Sequence, residues 1–121
     1  MMKILNLTQG FTVSEDAQMR NTAEGRRKGL MGSDKKDIII QASLENRVFA
    51  TIHMFKMNYP IDVIWCDKNL KVVEVRREIP ISKLSKPKTW LHMPKQKAKY
   101  IIELGKNKDT KTKKQDQIRF E

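Results

Sequence analysis

The hydrophobic positions of this chain fall in short stretches separated by turns, and they predict strands along most of its length. Met2–Leu7 is apolar-rich and reads as a first strand, with Gly10 as the turn that follows. Phe11–Met19 holds a second strand, although Ser14-Glu-Asp within it is polar. A short helix is expected near residues 22–30. Asn21 or Thr22 can cap it, Glu24 suits its first turn, and Arg26, Arg27 and Lys28 suit its C-terminal half. Gly29 or Gly32 can supply the left-handed stop. Asp37–Ala42 contains the β-branched run Ile38-Ile-Ile and reads as a buried strand, with Leu44–Arg47 as a turn. Val48–Phe55 reads as the next strand, with Ala50, Ile52 and Met54 on one side. Ile61–Cys66 is the strongest strand signal, and Asp67-Lys-Asn joins it to Leu70–Arg77 in a hairpin.

Pro80, Pro87 and Pro94 break the next stretch into a loop with short extended pieces. Ala98–Leu104 is a strand ended by Gly105, and Ile118–Phe120 forms a last short one. Residues 106–116 are polar and lysine-rich and read as a mobile loop. The pattern is mainly β. It predicts a small β-barrel or a jelly-roll-like sandwich of seven or eight short strands with one short helix, in a single domain over residues 1–121.

Composition narrows this further. Apolar residues make up 39% of the 121, enough for one core. No apolar run approaches the roughly 18 residues that span a bilayer, so no membrane is expected. The apolar stretch at the start is interrupted by Asn6, Thr8 and Gln9, which argues for a strand and against an export signal, and the expected location is the cytoplasm. Cys66 is the one cysteine and sits in an apolar run, where a thiol is usually a small buried hydrophobe. The net charge of +11 is uneven: residues 81–121 hold twelve Lys/Arg against four Asp/Glu. Long-range attraction would therefore favour an acidic partner.

Three groups of residues together resemble a known family. They are Asn21-Thr-Ala with Arg26/Arg27 and Gly29-Leu-Met, then His53-Met-Phe-x-Met-x-x-Pro-Ile-Asp-Val-Ile, then Ala98-Lys-Tyr-Ile-Ile-Glu-Leu. Leu70-Lys-Val-Val-Glu-Val and Pro80 lie between the last two. This pattern resembles the domain-of-unknown-function 192 family in an archaeal-type form, over roughly residues 20–121. The resemblance implies a compact β-barrel or jelly-roll-like sandwich and no established reaction. The family usually has Gly-Asp before its last strand, where this chain has Gln115-Asp116.

Two regions carry candidate chemistry. In the first, Asp62 opens an apolar run, and a carboxylate at the edge of a core must be paired or hydrogen-bonded. Either it holds the Pro60 turn through backbone N–H groups, the favoured reading, or it anchors a cation or acts as a base with His53 or Arg47 nearby. An imidazole ordinarily titrates near neutrality, so His53 could serve as an acid or base. Met57 and Tyr59 belong to the core or line a groove beside it. Neither histidine has a partner at metal-ligand spacing, and no metal or cofactor is expected. The second region is the series Lys83, Lys86, Lys88, Trp90, Lys95, Lys97 and Lys99, within a stretch, residues 79–102, that lacks Asp and Glu. Lysines interleaved with aromatics suit phosphates and bases, although no recognised nucleic-acid motif accompanies them.

Three functions follow. The leading one is a non-enzymatic module for an anionic partner such as nucleic acid. The others are a small-molecule or peptide groove near His53–Asp62, and a metal-assisted hydrolase using His53 and Asp62.

Overall fold

The computed structural model describes residues 1–30, 34–54, 57–81 and 91–121, with Arg27 and Lys28 described by their backbone alone. Within these the strands are β1 (Met2–Asn6), β2 (Phe11–Arg20), β3 (Asp37–Asn46), β4 (Ile52–His53), β5 (Ile61–Cys66), β6 (Val72–Ile79), β7 (Leu91–His92), β8 (Ala98–Leu104) and β9 (Ile118–Phe120). One helix, α1 (Ala23–Lys28), follows β2.

Seven strands form one sheet in the order β6-β5-β8-β3-β2-β1-β9, and β4 and β7 form a separate pair. Most neighbours are antiparallel. The exception is β2 and β3, which run parallel with Gln18 opposite Ile38. A parallel pair cannot be joined by a tight turn, so the chain crosses over through α1. The Thr22 hydroxyl caps the helix by accepting from the Gly25 amide, and Gly29, at φ 51°, ends it.

The sheet curls into a half-barrel that is all but closed at one end. There the amide of Ile118 donates to the Leu70 carbonyl, and Val72 exchanges bonds with Gln115 and Asp116. Both faces of its central strands are buried, which is why all six residues of β5 are buried. Inside the curl lie Ile4, Val13, Ile39, Ile64, Ile102, Leu104 and Ile118. On the outer face Ile38, Ile40, Val63, Trp65 and Ile101 pack beneath Leu30, Ile52 and Met54. Trp65 is fully buried and its Nε1 donates to the Ala50 carbonyl at 2.8 Å. Cys66 is also fully buried, and burial pushes its thiol pKa up, away from reactivity.

The mainly β class with one short helix holds, and β5, β8 and β9 fall where the alternation placed them. Two expected boundaries need correction. Strand β3 runs through the expected turn at 44–47, reaching Asn46 opposite Ala98 after an irregularity in register. The expected strand Val48–Phe55 shrinks to Ile52–His53 within the described residues. Its cause is Asn46, whose Oδ1 accepts from the amides of Val48 and Phe49 and folds them into a turn. Ala50, Ile52 and Met54 are nonetheless all buried, as their spacing required.

Turns are made without the residues that make them cheapest. Leu70 closes the β5–β6 hairpin at φ 62°, steadied by Asp67 Oδ1, which accepts from the amides of Asn69 and Lys71. Gln115 sits at φ 78°, at the place where the sequence resemblance implies glycine. A non-glycine residue in this left-handed region is strained by roughly 1–2 kcal/mol. Gln115→Gly is therefore expected to raise stability by about 1 kcal/mol, read as a higher urea midpoint at unchanged slope.

Candidate functional site

The carboxylates at one end of the half-barrel accept hydrogen bonds from backbone amides. Asp37 and Asp62 both stand opposite Leu104, on strands flanking β8, and point into the curl. Asp37 accepts from the amides of Lys106 and Asn107 and from the Ser14 hydroxyl. Asp62 accepts from the Glu78 amide at 2.9 Å and the Asp109 amide at 3.1 Å. Asp109 in turn accepts from the amides of Lys111 and Thr112. Burial opposes ionisation of Asp116, but hydrogen bonds from Asn6, the Lys113 amide and Gln9 outweigh it and hold its pKa below the usual value. Segment 106–116 is thus pinned by buried acceptors: Asp109, Thr112 and Asp116 are all buried. No group of three or more His, Cys, Asp or Glu side chains suited to a metal occurs among the described residues.

His53 lies elsewhere, on the outer face of the sheet. It lines a cavity of about 50 Å³ with Arg26, Gly29, Ile40, Phe49, Thr51, Ile52, Ile101 and Glu103. Each wall has a local cause. Arg26 projects from α1, and its Nη1 donates to the carbonyls of Asn21 at 2.7 Å and Gln41 at 3.3 Å, which fixes the guanidinium between helix and sheet. Gly29 turns the chain at the helix end. A Cβ there would lie 3.6 Å from Glu103 Oε1, so glycine keeps that side open as well as permitting the positive φ. Glu103 follows Ile101 by two residues on β8 and so faces the same way, into the outer core. Thr51 and His53 come from the short run into β4 that the Asn46 turn redirects.

Glu103 is the unusual group. It is 4% exposed and accepts no hydrogen bond from a described residue. Burial pushes its pKa up to about 8, with the Arg20 charge opposing this only in part. At neutral pH it is therefore mostly a neutral acid able to donate a hydrogen bond.

The sequence-derived candidates separate. His53 belongs to this cavity, whereas Asp62 faces the other side of the sheet with its oxygens engaged by backbone amides. The paired use of His53 and Asp62 finds no support in that geometry. Arg47 donates from Nε to the Pro94 carbonyl, tying the turn before β4 to the segment after β7. Met57 and Tyr59 are buried in the outer core, and the Tyr59 hydroxyl donates to the Asp34 carbonyl at 3.1 Å. Of the lysine series, Lys97 pairs with Glu45 at 3.5 Å and Lys99 Nζ donates to the Ser43 carbonyl at 3.1 Å. The Lys95 amide donates to Glu74 Oε1 at 2.7 Å. Lys83, Lys86, Lys88 and Trp90 lie outside the described residues.

Sequence reasoning overlooked Arg26 and Glu103 as site residues. For Glu103 the signal was present. In Tyr100-Ile-Ile-Glu-Leu, period two puts a carboxylate on the same face as Ile101, a core position. For Arg26 no local pattern exists, because its role depends on where the helix lands on the sheet.

Known proteins share this architecture. A crystal structure of a "putative transcription regulator" from Sinorhizobium meliloti 1021 matches with a TM-score of 0.75 at 14% identity, covering 98% of this chain and 91% of that one. A protein of unknown function from Novosphingobium aromaticivorans matches at 0.72 and 16% identity, covering 98% and 82%. At such identities the likeness concerns the fold alone. Among sequence relatives, a UPF0127 protein of Thermococcus gammatolerans is 33% identical over 103 residues, which is 83% of this chain and 61% of that protein. This chain thus spans about three fifths of that relative's length. A UPF0127 protein of Pyrococcus horikoshii is 31% identical over 102 residues, covering 83% and 81%. The DUF192 family, described as "Uncharacterized ACR", matches residues 5–120, and the chain belongs to that family.

Proposed function

We propose that this domain is a binding module that takes one small polar group of a small-molecule or peptide ligand into the cavity of Arg26, His53 and Glu103. The observation that carries this reading is convergence. Arg26 and Gly29 come from the first of the three segments that carry the family pattern, His53 from the second and Glu103 from the third, and all line one cavity. A cavity with an apolar floor and a few converging polar groups is the usual form of a ligand site. Its size limits what enters to a few heavy atoms, about the space of several waters. The rest of a larger ligand would rest on the exposed apolar surface nearby, where Phe49 lines the mouth and Leu91, opposite His53 in the β4–β7 pair, is 66% exposed.

At 14.2 kDa the protein suits amide-detected NMR. Small amides, alcohols, amines and carboxylates at millimolar concentration are the appropriate probes. Members of the panel should shift the amide signals of Gly29, Thr51, His53 and Glu103 in a saturable way. If none does, while the spectrum is that of a folded protein, the cavity is packing space and the proposal falls.

A further inference from the structure

Resting on that cavity reading, we infer that the group it accepts is a small carboxylate, held by the Arg26 guanidinium with the Glu103 carboxyl donating a hydrogen bond to it. The charges facing the cavity argue for this choice. Arg26 on α1 contributes one positive charge. Its Nη1 is engaged by two carbonyls, which leaves Nη2 and Nε without a hydrogen-bond partner among the described residues. Those two nitrogens form a planar fork that matches the two oxygens of a carboxylate. Glu103 on β8 is deeply buried, reaches the cavity wall and has no hydrogen-bond partner among the described residues. A carboxyl that reaches a cavity without a protein partner can complete its hydrogen bonding with a ligand atom that shares its proton. As a neutral acid, Glu103 serves an anionic acceptor and offers no charge to a cation.

The remaining surroundings are consistent with one bound negative charge. Arg20 on β2 adds a positive field at Glu103 from outside the cavity lining. His53 on β4 faces the cavity, and burial and then the charge of Glu103 raise the pKa of Tyr59, which is not part of the cavity lining. The elements beneath offer Ile40, Ile52 and Ile101, an apolar floor for the carbon next to a carboxyl group. One guanidinium balances a monoanion. A phosphate dianion would need more cations than the described lining supplies, and it would meet an isoleucine floor.

Titration of the protein with acetate and propionate, followed through the Gly29, Thr51 and Glu103 amides, tests this. Methylammonium, acetamide and inorganic phosphate serve as parallel probes. Acetate and propionate are expected to bind in preference to the other three, with propionate tighter. Because ionised Glu103 repels an anion, carboxylate affinity should fall about tenfold from pH 7 to pH 9, as the acid with a pKa of about 8 loses its proton. Glu103→Gln keeps a neutral donor, so it should bind carboxylates at pH 7 and lose that pH dependence. Arg26→Gln should weaken binding at least tenfold, with Arg26→Lys retaining part of it. The wild-type and Glu103→Gln profiles stand as a test even if the Arg26 variants fail to fold. Preference for methylammonium, acetamide or phosphate overturns the carboxylate inference and leaves the cavity reading intact. So does carboxylate binding that is flat in pH or equally pH-dependent in Glu103→Gln. No response to any probe overturns both.

Discussion

Glu103→Gln is expected to stabilise the fold, by an amount that grows as pH rises. The Glu103 carboxyl has a pKa near 4.5 when exposed, and burial in the folded chain raises it to about 8. Between those values the folded protein holds a proton that the unfolded chain has released. Stability from this group is thus fully present below pH 4.5 and is lost progressively as pH rises through 8. Glutamine has no proton to lose, so the variant should escape that decline. The gap between the two proteins should be small at pH 5 and on the order of 4 kcal/mol at pH 9. Urea unfolding at pH 5, 7 and 9 measures it. Parallel stability profiles for wild type and variant would mean that Glu103 is solvated as well in the fold as outside it, and the account of the cavity would have to change. A group that weakens the fold at neutral pH and remains in a core position is a natural candidate for function.

Asp62→Ala is expected to have the opposite effect. Asp62 was a candidate catalytic carboxylate on sequence grounds, yet both its oxygens are spent on backbone amides, those of Glu78 and Asp109. Removing them strands a buried N–H at Asp109 and a partly buried one at Glu78. Each unmade bond costs about 1–3 kcal/mol, and bonds to a charged acceptor lie toward the upper end. A loss of roughly 3–4 kcal/mol is expected in chemical denaturation, together with increased exchange of the Asp109 and Thr112 amides. Asp62→Asn should lose less, because one amide can still be served. Near wild-type stability in Asp62→Ala would revive the reading of Asp62 as a functional group. The response of the Gly29 and Glu103 amides to carboxylates should survive this substitution where the protein remains folded, since Asp62 faces the inside of the curl.

How far the sequence reveals this structure depends on how local the determining interactions are. Ile61–Cys66 and Ala98–Leu104 are legible to the residue because each is a compact apolar run bounded by turn or breaker residues, Pro60 and Asp67 for one and Gly105 for the other. The helix is legible because its cap, first turn and stop lie within a few residues of one another. Asn46 defeats the same reasoning. The apolar run after it reads as a strand, and one side chain binding two amides ahead makes a turn instead. Segment 106–116 misleads for a related reason. Its lysines, aspartates and threonines look like solvated loop, but the acceptors that fix it, Asp37 and Asp62, are more than forty residues away in sequence.

The candidate site was half legible. His53 could be chosen from its chemistry alone, and Asp62 was chosen with it because the two share a segment. Strand geometry separates them. Alternation along β5 turns Asp62 toward Ile64 and Cys66 and away from the face that carries Trp65. The carboxyl that lines the same cavity as His53, that of Glu103, lies on a strand fifty residues later. Only the sheet order, which places β8 between β5 and β3, brings it there.

The pairing of β9 with β1 has a kinetic consequence. Lys3 and Glu121 exchange backbone hydrogen bonds, and Ile118 is buried against a core that contains Ile4. A nascent chain cannot make these contacts until residues 118–121 have left the ribosome. Until then, one flank of β1 and the start of β6 lack their final partner. Contacts of such long sequence separation demand a large loss of chain entropy before they return any stability. Folding of this chain should therefore be slow for its size, in the millisecond-to-second range of β topologies rich in distant contacts.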